Sequence, residues 1–279
     1  MRIGFIGAGR VGFTMGKYLS INGADISGYY SRNPEHAKEA AEFTDTRYYV
    51  DINDLIKESD AVFLTVSDTA IRTVYDSIKE SADIHGKIIC HTSGALSSEI
   101  FEDSTFQVYG YSVHPVYAVS DKYTSYENFS NAFITIEGNE RYLEELTGVF
   151  KRAGMTVGTI DTDAKVKYHC ACAIASNLVC GLYGMSTRLL TECGMSEEMS
   201  KSAIRGLFVD NALGLAEKGA VGQLTGPIDR NDVITVGKHL EVLSDDEREL
   251  YKKVSEEVLK VAKIKNEKSD YSQMESILK

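Results

Sequence analysis

Lys165 and His169 are the residues of this chain whose types and spacing most directly suggest chemistry. They belong to the segment KVKYHCACAIASN, residues 165–177, which otherwise consists largely of small and apolar side chains. In a helix, Lys165, His169, Cys172 and Ser176 lie on one stripe, at i, i+4, i+7 and i+11. Such an apolar helix is expected to be buried, and burying a charge without a partner is costly. The stripe is therefore a candidate site for acid–base chemistry. The structural alternative is a lysine that extends to solvent and a hydrogen-bonded core histidine.

A second group of residues is suited to binding phosphate. The sequence GAGRVG has the spacing G-x-G-x-x-G, follows the apolar run RIGFIG and precedes a helical pattern. Gly7 allows a tight turn, Gly9 lets the backbone approach a pyrophosphate, and Gly12 allows the helix to pack closely on the strand. The helix N-terminus then offers free N–H groups to the phosphates. The alternative is a glycine-rich turn without a ligand. The predicted cofactor-binding residues are Gly7, Ala8, Gly9, Arg10, Val11 and Gly12.

The residues after the second predicted strand indicate which dinucleotide binds. An NAD site usually places Asp or Glu there to bind the ribose hydroxyls. This chain has Ser31 and Arg32 instead, and Asp25 comes too early, at the start of the strand. A guanidinium can bind a 2′-phosphate in a bidentate manner, whereas a carboxylate would repel it. The sequence therefore predicts NADP(H) rather than NAD(H). The alternative is that Arg32 is only a solvated loop residue.

Polar residues also stand at the carboxyl ends of three later predicted strands. In open α/β sheets, ligands bind beyond the carboxyl ends of the strands. Ser67 or Asp68 could instead cap the next helix, and His91 is expected to be a buried, hydrogen-bonded histidine rather than a proton donor. Pro115 holds His114 in an extended conformation, where it could contact the substrate or the nicotinamide; the alternative is a structural loop. The predicted cofactor contacts are Val66, Ser67, Asp68 and Ser93, and the predicted substrate contacts are Ser93, Gly94, His114 and Pro115.

The elements that must position these residues follow from the order of strand and helix patterns. The first 160 residues or so alternate short apolar strands with helices, which is typical of a parallel sheet covered on both faces. Beyond Ile160 the patterns are helical. We therefore expect an α/β fold: a Rossmann-type doubly wound, mostly parallel sheet in residues 1–161, followed by an all-α domain in residues 162–279. In residues 165–177, the stretch beyond Cys172 is expected to be mostly core.

Composition and charge limit the kinds of molecule that the protein is expected to bind. The chain has 279 residues and a formal net charge of −11, from 41 acidic and 30 basic side chains. Without a basic cluster, nucleic acid and anionic membranes are not expected partners. We find no signal-peptide pattern and expect no apolar run of the roughly 18 residues that a membrane helix needs, so a cytoplasmic location is expected. The five cysteines have no disulfide or metal-site spacing, and no metal is expected.

Taken together, the motifs resemble one bacterial protein family. GFIGAGRVG, YYSRN, TVSD, HTSGAL, SVHP, KVKYHCACAIASN and LTGPIDRND occur in the family's order and cover nearly the whole chain. The family pairs a Rossmann-like NADP-binding domain with a C-terminal helical domain of unknown function. It is similar in architecture to pyrroline-5-carboxylate reductase and to the 6-phosphogluconate and β-hydroxyacid dehydrogenases. The resemblance implies an NADP(H)-dependent oxidoreductase and identifies no substrate.

The resemblance also implies roles for particular residues. β-Hydroxyacid dehydrogenases place a catalytic lysine where Lys165 stands and an asparagine where this chain has His169, so Lys165 or His169 would transfer the proton that accompanies the hydride. By analogy with these dehydrogenases, LTGPIDRND would face the cleft, with Asp232 as a substrate contact, or the partner subunit, although Asn231 replaces the family's glycine; the alternative is that the segment only begins a helix. The related helical domains pack as dimers, which implies a homodimer here. A hydride would pass between nicotinamide and a small carbonyl, hydroxyl or imine substrate. The rivals are an NADP-binding sensor without turnover and an oxidoreductase that uses coenzyme F420 with NADP.

Overall fold

The computed structural model describes residues 1–103, 105 and 107–279. The chain divides into two compact units, residues 1–179 and 180–279. The first unit thus includes the helix that begins at Lys165, whereas the sequence patterns put the domain boundary at residue 161.

The first unit is built on one eight-stranded sheet within the described residues. Its strand order is β3-β2-β1-β4-β5-β6-β7-β8. Neighbouring strands are parallel except β6 and β7, which pair antiparallel. The predicted doubly wound, mostly parallel sheet is therefore confirmed. The strands are β1 Arg2–Ile6, β2 Asp25–Tyr30, β3 Arg47–Tyr49, β4 Ala61–Leu64, β5 Ile88–His91, β6 Tyr109–Val116, β7 Phe133–Gly138 and β8 Thr156–Thr159.

In the described part of the chain, five α-helices lie between successive strands of the sheet. Asn33 caps the second of them by accepting a hydrogen bond from the Glu35 N–H, and Pro34 occupies its first turn, as the Asn-Pro pair predicts. Strand β3 and the seven-residue helix α3 were not predicted, because elements this short show no clear periodicity. The helices are α1 Arg10–Ile21, α2 Pro34–Thr44, α3 Ile52–Glu58, α4 Asp68–Ile78 and α5 Leu143–Arg152.

Both faces of the sheet are buried, which explains why its strands read as continuous apolar runs. On β1, Ile3 and Phe5 belong to the core on one face, whereas Ile6 belongs to the core on the other. Residues on β4 alternate in the same way, with Phe63 on the first face and Leu64 on the second. Parallel strands covered by helices on both sides need apolar residues at every position, and this is the pattern that the sequence contains.

The helix that begins at Lys165 is exposed, and the expectation that it is buried is wrong for the single chain. Helix α6, Lys165–Ala175, buries only Lys165, and helix α7, Asn177–Glu192, buries no residue. Ile174, which lies in the stretch that was expected to be core, is 55% exposed, and Leu178, just beyond this stretch, is 60% exposed. The small and apolar composition predicts a covered helix, but no part of the described chain covers it.

The same segment also corrects the expectation that no apolar run is long enough to cross a membrane. The helical stretch Thr162–Glu192 contains an 18-residue window that is sufficiently apolar and poor in charge for a membrane span, by length and composition only. Core or interface helices of other proteins satisfy the same criterion.

The second unit is helical throughout, as predicted. Its core is formed by seven buried residues: Ile228, Val236, Leu259, Ala262, Tyr271, Met274 and Leu278. Gly219, at φ 70°, interrupts the longest helix, α8. Asp232 caps helix α9 by accepting a hydrogen bond from the Thr235 N–H. The helices are α8 Glu197–Gln223, α9 Val233–Val242, α10 Asp245–Lys265 and the unpredicted α11 Ser272–Leu278.

Candidate active site

The glycine-rich loop between β1 and α1 has the geometry of a dinucleotide site. Gly7 has φ 109°, a conformation that side chains disfavour. A Cβ at Gly12 would lie 2.7 Å from the Gly7 carbonyl oxygen, so only glycine allows this close packing of helix and strand. At Gly9 a Cβ would meet only the Thr65 carbonyl oxygen, at 3.9 Å, which leaves the end of the helix open. No side chain in the described part of the chain caps α1. Its first N–H groups are thus available to a phosphate, and the loop fits a pyrophosphate.

Thr65, which the sequence analysis did not identify, holds this loop in place. Its hydroxyl donates a hydrogen bond to the Gly7 carbonyl oxygen at 2.8 Å. Ala8 and Val11 are half-buried beside the loop, and Arg10 is exposed and donates to the Ser120 carbonyl oxygen at 3.3 Å. The short hydrogen bond from Thr65 therefore joins the loop to the end of β4.

Arg32 lies at the same edge of the sheet as the glycine loop. The Gly7 N–H donates to the carbonyl oxygen of Tyr30, the last residue of β2, at 2.8 Å. Ser31 is half-buried and Arg32 is exposed directly after this strand, just before helix α2. The guanidinium is thus free to approach a group bound at the loop, as an NADP site requires.

Ser93 and Asp68, the residues after two neighbouring strands, are joined by a hydrogen bond. The Ser93 hydroxyl donates to Asp68 Oδ2 at 2.7 Å and accepts from the Ala95 and Leu96 N–H groups at 3.2 and 3.0 Å. Ser67 occupies the N-cap position of α4, but its hydroxyl bonds to that of Thr69 instead of capping the backbone. The Ser93 hydroxyl thus shapes its own turn and anchors it to the start of α4.

His91 is the buried structural histidine that the sequence predicted. It is fully buried; its Nδ1 accepts from the Ser93 N–H at 3.2 Å, and its Nε2 lies 3.1 Å from the Ser97 carbonyl oxygen. This arrangement requires a neutral ring with the proton on Nε2. Burial, more than any other cause, lowers the pKa of His91 to about 4. His91 therefore stays neutral and supports the turn that contains Ser93.

His114 and His169 lie on either approach to Gly94, and Tyr168 contacts His114. The Tyr168 hydroxyl and His114 Nδ1 are 2.7 Å apart, and the ring centres of His114 and His169 are 6.3 Å apart. A Cβ at Gly94 would lie 2.5 Å from His169 Cδ2 and 2.9 Å from His114 Nε2. Burial, and then the charge of Lys165, lower the pKa of His114 to about 4, and burial raises the pKa of Tyr168 to about 12. Both groups are neutral near pH 7, and Gly94 provides the space for both imidazoles.

Lys165 is buried at this site without a hydrogen-bond partner. The residue is 1% exposed, and its Nζ has no partner in the described part of the chain. The ammonium lies 5.3 Å from the ring centre of Tyr168. Burial lowers the pKa of Lys165 to about 8, and the nearby acidic side chains, Glu137 first among them, oppose this effect. The alternative in which Lys165 extends to solvent is therefore wrong, and its ammonium can exchange a proton near neutral pH.

Tyr168 and Glu137 belong to the site, although the sequence analysis did not identify them. Tyr168 follows Lys165 by three positions, so it lies on the adjacent part of the same helix face. Glu137 is a buried charged residue within an otherwise apolar strand, and that contrast is a signal in the sequence. Among the described residues, no group of three or more His, Cys, Asp or Glu side chains is placed to hold a metal ion.

Asp232 and Asn231 lie in the second unit. Asp232 Oδ1 accepts from the Thr235 N–H at 3.0 Å, and its Oδ2 accepts from the Thr235 hydroxyl at 2.7 Å. Asn231 has φ 56° and donates to the Asp270 carbonyl oxygen at 2.8 Å. Asparagine tolerates this left-handed conformation better than most residues, so the substitution of the family's glycine keeps the turn. Asp232 thus has a clear role as a helix cap, and its contact with substrate stays a prediction.

Comparison with known proteins agrees with this geometry. Residues 2–93 match the family described as NADP oxidoreductase, coenzyme F420-dependent, and residues 132–258 match the domain of unknown function DUF2520. No curated protein matches the chain. The predicted resemblance, a Rossmann-like NADP oxidoreductase domain followed by a domain of unknown function, is confirmed.

Solved structures have the same fold. Protein TM1727 from Thermotoga maritima is 24% identical with a TM-score of 0.77, covering 95% of this chain and 99% of that one. BF3122 from Bacteroides fragilis, described as a candidate NADP oxidoreductase, is 22% identical with a TM-score of 0.66, covering 93% and 98%. A pyrroline carboxylate reductase from Plasmodium falciparum, solved with NADP bound, is 15% identical with a TM-score of 0.59, covering 96% and 98%. These likenesses show that the chain shares the fold of these proteins.

Proposed function

We propose that the protein is an NADP(H)-dependent oxidoreductase acting on a small carbonyl, hydroxyl or imine compound, with Lys165 as the proton-transferring residue. The observation that supports this most directly is the buried ammonium of Lys165, which has no hydrogen-bond partner in the described chain. Burying such a charge is costly, so its retention indicates a function. A sensor that binds NADP without turnover would have no use for this group.

The residues at the carboxyl edge of the sheet would hold the cofactor. The loop Gly7–Gly12 would bind the pyrophosphate through the N-terminus of α1, and Arg32 with Ser31 would bind the 2′-phosphate. Bound NADPH would supply the hydride. Val66, Ser67 and Asp68 follow β4 at this edge, and the turn at Ser93 is anchored to Asp68.

The neutral side chains around Lys165 would orient the substrate. Because the pKa of His114 is low and that of Tyr168 is high, both are neutral hydrogen-bonding groups at pH 7. Lys165, with its pKa lowered by burial to about 8, is mostly protonated at pH 7 and can release its proton to a developing alkoxide or amine. His169 is exposed, so we assign the proton to Lys165 and a substrate contact to His169.

One observation favours a second candidate reaction. The family that matches residues 2–93 is described as coenzyme F420-dependent. In that case the second substrate would be a deazaflavin rather than a small carbonyl compound, and Lys165 would again exchange the accompanying proton.

We further propose that the protein is a cytoplasmic homodimer that pairs through its C-terminal helices. The support is the exposure of large apolar side chains on the helices α6, α7 and α8, including Ile174, Leu178 and Leu207. Large apolar side chains that are exposed in a single chain are often buried in an interface. A second copy of the chain would then cover the segment that is apolar enough for a membrane.

A thermal-shift screen followed by turnover measurements tests the function. Keto acids, cyclic imines, hydroxy acids and F420 would be screened with NADPH present, because a ligand that stabilises only the NADPH complex identifies the substrate class. With that substrate, we expect Lys165→Met to lower kcat by about 10²- to 10⁴-fold. The Kd for NADPH should change little.

Lys167→Met is the matched control, since Lys167 is exposed on the same helix. It should keep the wild-type kcat. Undiminished turnover in Lys165→Met would show that the proposed mechanism is wrong, and undiminished turnover in His169→Ala would remove the proposed substrate contact.

A further inference from the structure

We propose that Glu137 is a positioning residue for Lys165: its buried carboxylate fixes the turn from which Lys165 extends and supplies a compensating negative charge. The inference deepens the proposed function and rests on it. Neither the sequence motifs nor the family resemblance assigns a role to Glu137.

The first support is the set of hydrogen bonds that Glu137 accepts. The residue lies on β7 opposite Ser112 and is 2% exposed. Its Oε2 accepts from the Ser98 N–H at 2.9 Å, and its Oε1 accepts from the Ser98 hydroxyl at 2.6 Å and the Thr162 hydroxyl at 2.8 Å. A carboxylate meets all three donors, whereas an amide would direct an NH2 group at one of them.

The second support is the position of the two donors. Ser98 begins the short 3-10 turn Ser98–Phe101, which follows the turn that contains Ser93 and Gly94. Thr162 begins another 3-10 turn, Thr162–Ala164, and Lys165 follows it directly. The Glu137 carboxylate therefore joins the turn that follows Gly94 in the chain to the turn that directly precedes Lys165. A shift of either segment would move Lys165 relative to Gly94.

The third support is electrostatic. Among the charged groups that act on Lys165, Glu137 is the strongest, and its negative charge opposes the lowering of the Lys165 pKa by burial. Asp68 also opposes it, but its carboxylate already accepts the Ser93 hydroxyl. The titratable groups near Lys165 are Glu137 on β7, Asp68 on α4, Cys172 and Tyr168 on α6, His91 on β5 and His114 on β6.

The test measures the titration of Lys165 directly and needs no substrate. Full-length protein with carbon-13 at the lysine ε-carbons is titrated by NMR, and the Lys165 signal is the one absent from Lys165→Met. In Glu137→Gln we expect the midpoint of this signal to fall by about one pH unit, because the ammonium loses a nearby opposite charge. Glu102→Gln, which removes an exposed carboxylate after the Ser98–Phe101 turn, should leave it unchanged. An unchanged midpoint in Glu137→Gln would overturn the electrostatic part of the proposal.

Thr162→Val tests the positioning part and also serves if Glu137→Gln does not fold. It removes one hydrogen bond and keeps the charge, so the Lys165 midpoint should stay near the wild-type value. Hydrogen exchange of the amides in residues 162–168 should become faster, because the start of α6 loses its anchor. Unchanged exchange there would refute the positioning role. Turnover tests the proposed function independently, since both measurements here are made on the protein alone.

Discussion

Arg32 is the residue on which the choice between NADP(H) and NAD(H) depends. It is exposed, and it follows a strand whose last carbonyl oxygen is hydrogen-bonded to the glycine loop. Its guanidinium is therefore free to bind a phosphate at the loop edge rather than serving the fold. The absence of an acidic residue from Tyr29 to Asn33 removes the group that would bind a ribose hydroxyl.

Substitution of Arg32 should change cofactor preference without changing stability. In Arg32→Ala we expect the Kd for NADPH to rise about tenfold or more, because a charge-assisted hydrogen bond to phosphate is lost. The Kd for NADH should change less than about twofold, because NADH has no 2′-phosphate. Titration calorimetry with both nucleotides measures this. Lys38→Ala, which removes another exposed positive charge from helix α2, is the control. Equal losses for NADH and NADPH would contradict the assignment.

The turn after β5 is the element that brings the site together. The Ser93 hydroxyl fixes the turn by donating to Asp68 and accepting from two backbone N–H groups. His91 supports the turn because its Nδ1 accepts from the Ser93 N–H. Gly94 is then held against the imidazoles of His114 and His169, where a side chain does not fit. The requirement for glycine here is spatial, since Gly94 is not among the positive-φ residues.

A methyl group at Gly94 should therefore disturb the site more than the fold. In Gly94→Ala the new Cβ would lie 2.5 Å from His169 and 2.9 Å from His114, so at least one imidazole must move. We expect kcat with the substrate found by the screen to fall on the order of 10- to 100-fold, because displacement of about 1 Å is enough for such a loss. The Kd for NADPH should stay within about threefold of wild type.

Gly237→Ala is the matched substitution. Gly237 lies in helix α9 with no atom within 4 Å of its added Cβ, so alanine there should be neutral or stabilising. Comparable kcat values for the two alanine variants would mean that Gly94 does not shape the site.

At the scale of the whole molecule, the exposed apolar helices are the feature that the single chain does not explain. Leu207 and Leu213 on α8 are 74% and 58% exposed, and Leu178 on α7 is 60% exposed. Leaving this much apolar surface in water is unfavourable, by about 25 cal/mol for each Å². A second copy of the chain that covers this surface would remove the cost.

A charge placed on this surface should prevent pairing. We expect the wild-type protein to be a dimer by size-exclusion chromatography with light scattering, and Leu207→Glu to shift it towards the monomer, because a carboxylate would be buried without a partner. Val50→Glu is the control: Val50 is 77% exposed but lies after β3, in the first unit. A monomeric wild type would refute the dimer, and binding to neutral lipid vesicles would favour a membrane as the covering surface.

The amino-acid sequence alone was sufficient to predict the features that depend on interactions between residues close together in the chain. The loop Gly7–Gly12, the cap at Asn33 and the buried strands depend on residues a few positions apart, so spacing and periodicity reveal them. The family motifs pointed to Lys165 for the same reason, since its place at the start of a helix after the sheet is visible in the chain order.

Only the tertiary structure decided the surroundings of Lys165 and the exposure of the helix that carries it. Glu137 meets Ser98 and Thr162 across 39 and 25 residues, and Tyr168 meets His114 across 54. Such partners depend on strand order, including the antiparallel β7, which local patterns do not encode. Periodicity likewise shows that α6 has apolar faces but not what covers them, because burial is a property of the packed molecule and of its partners.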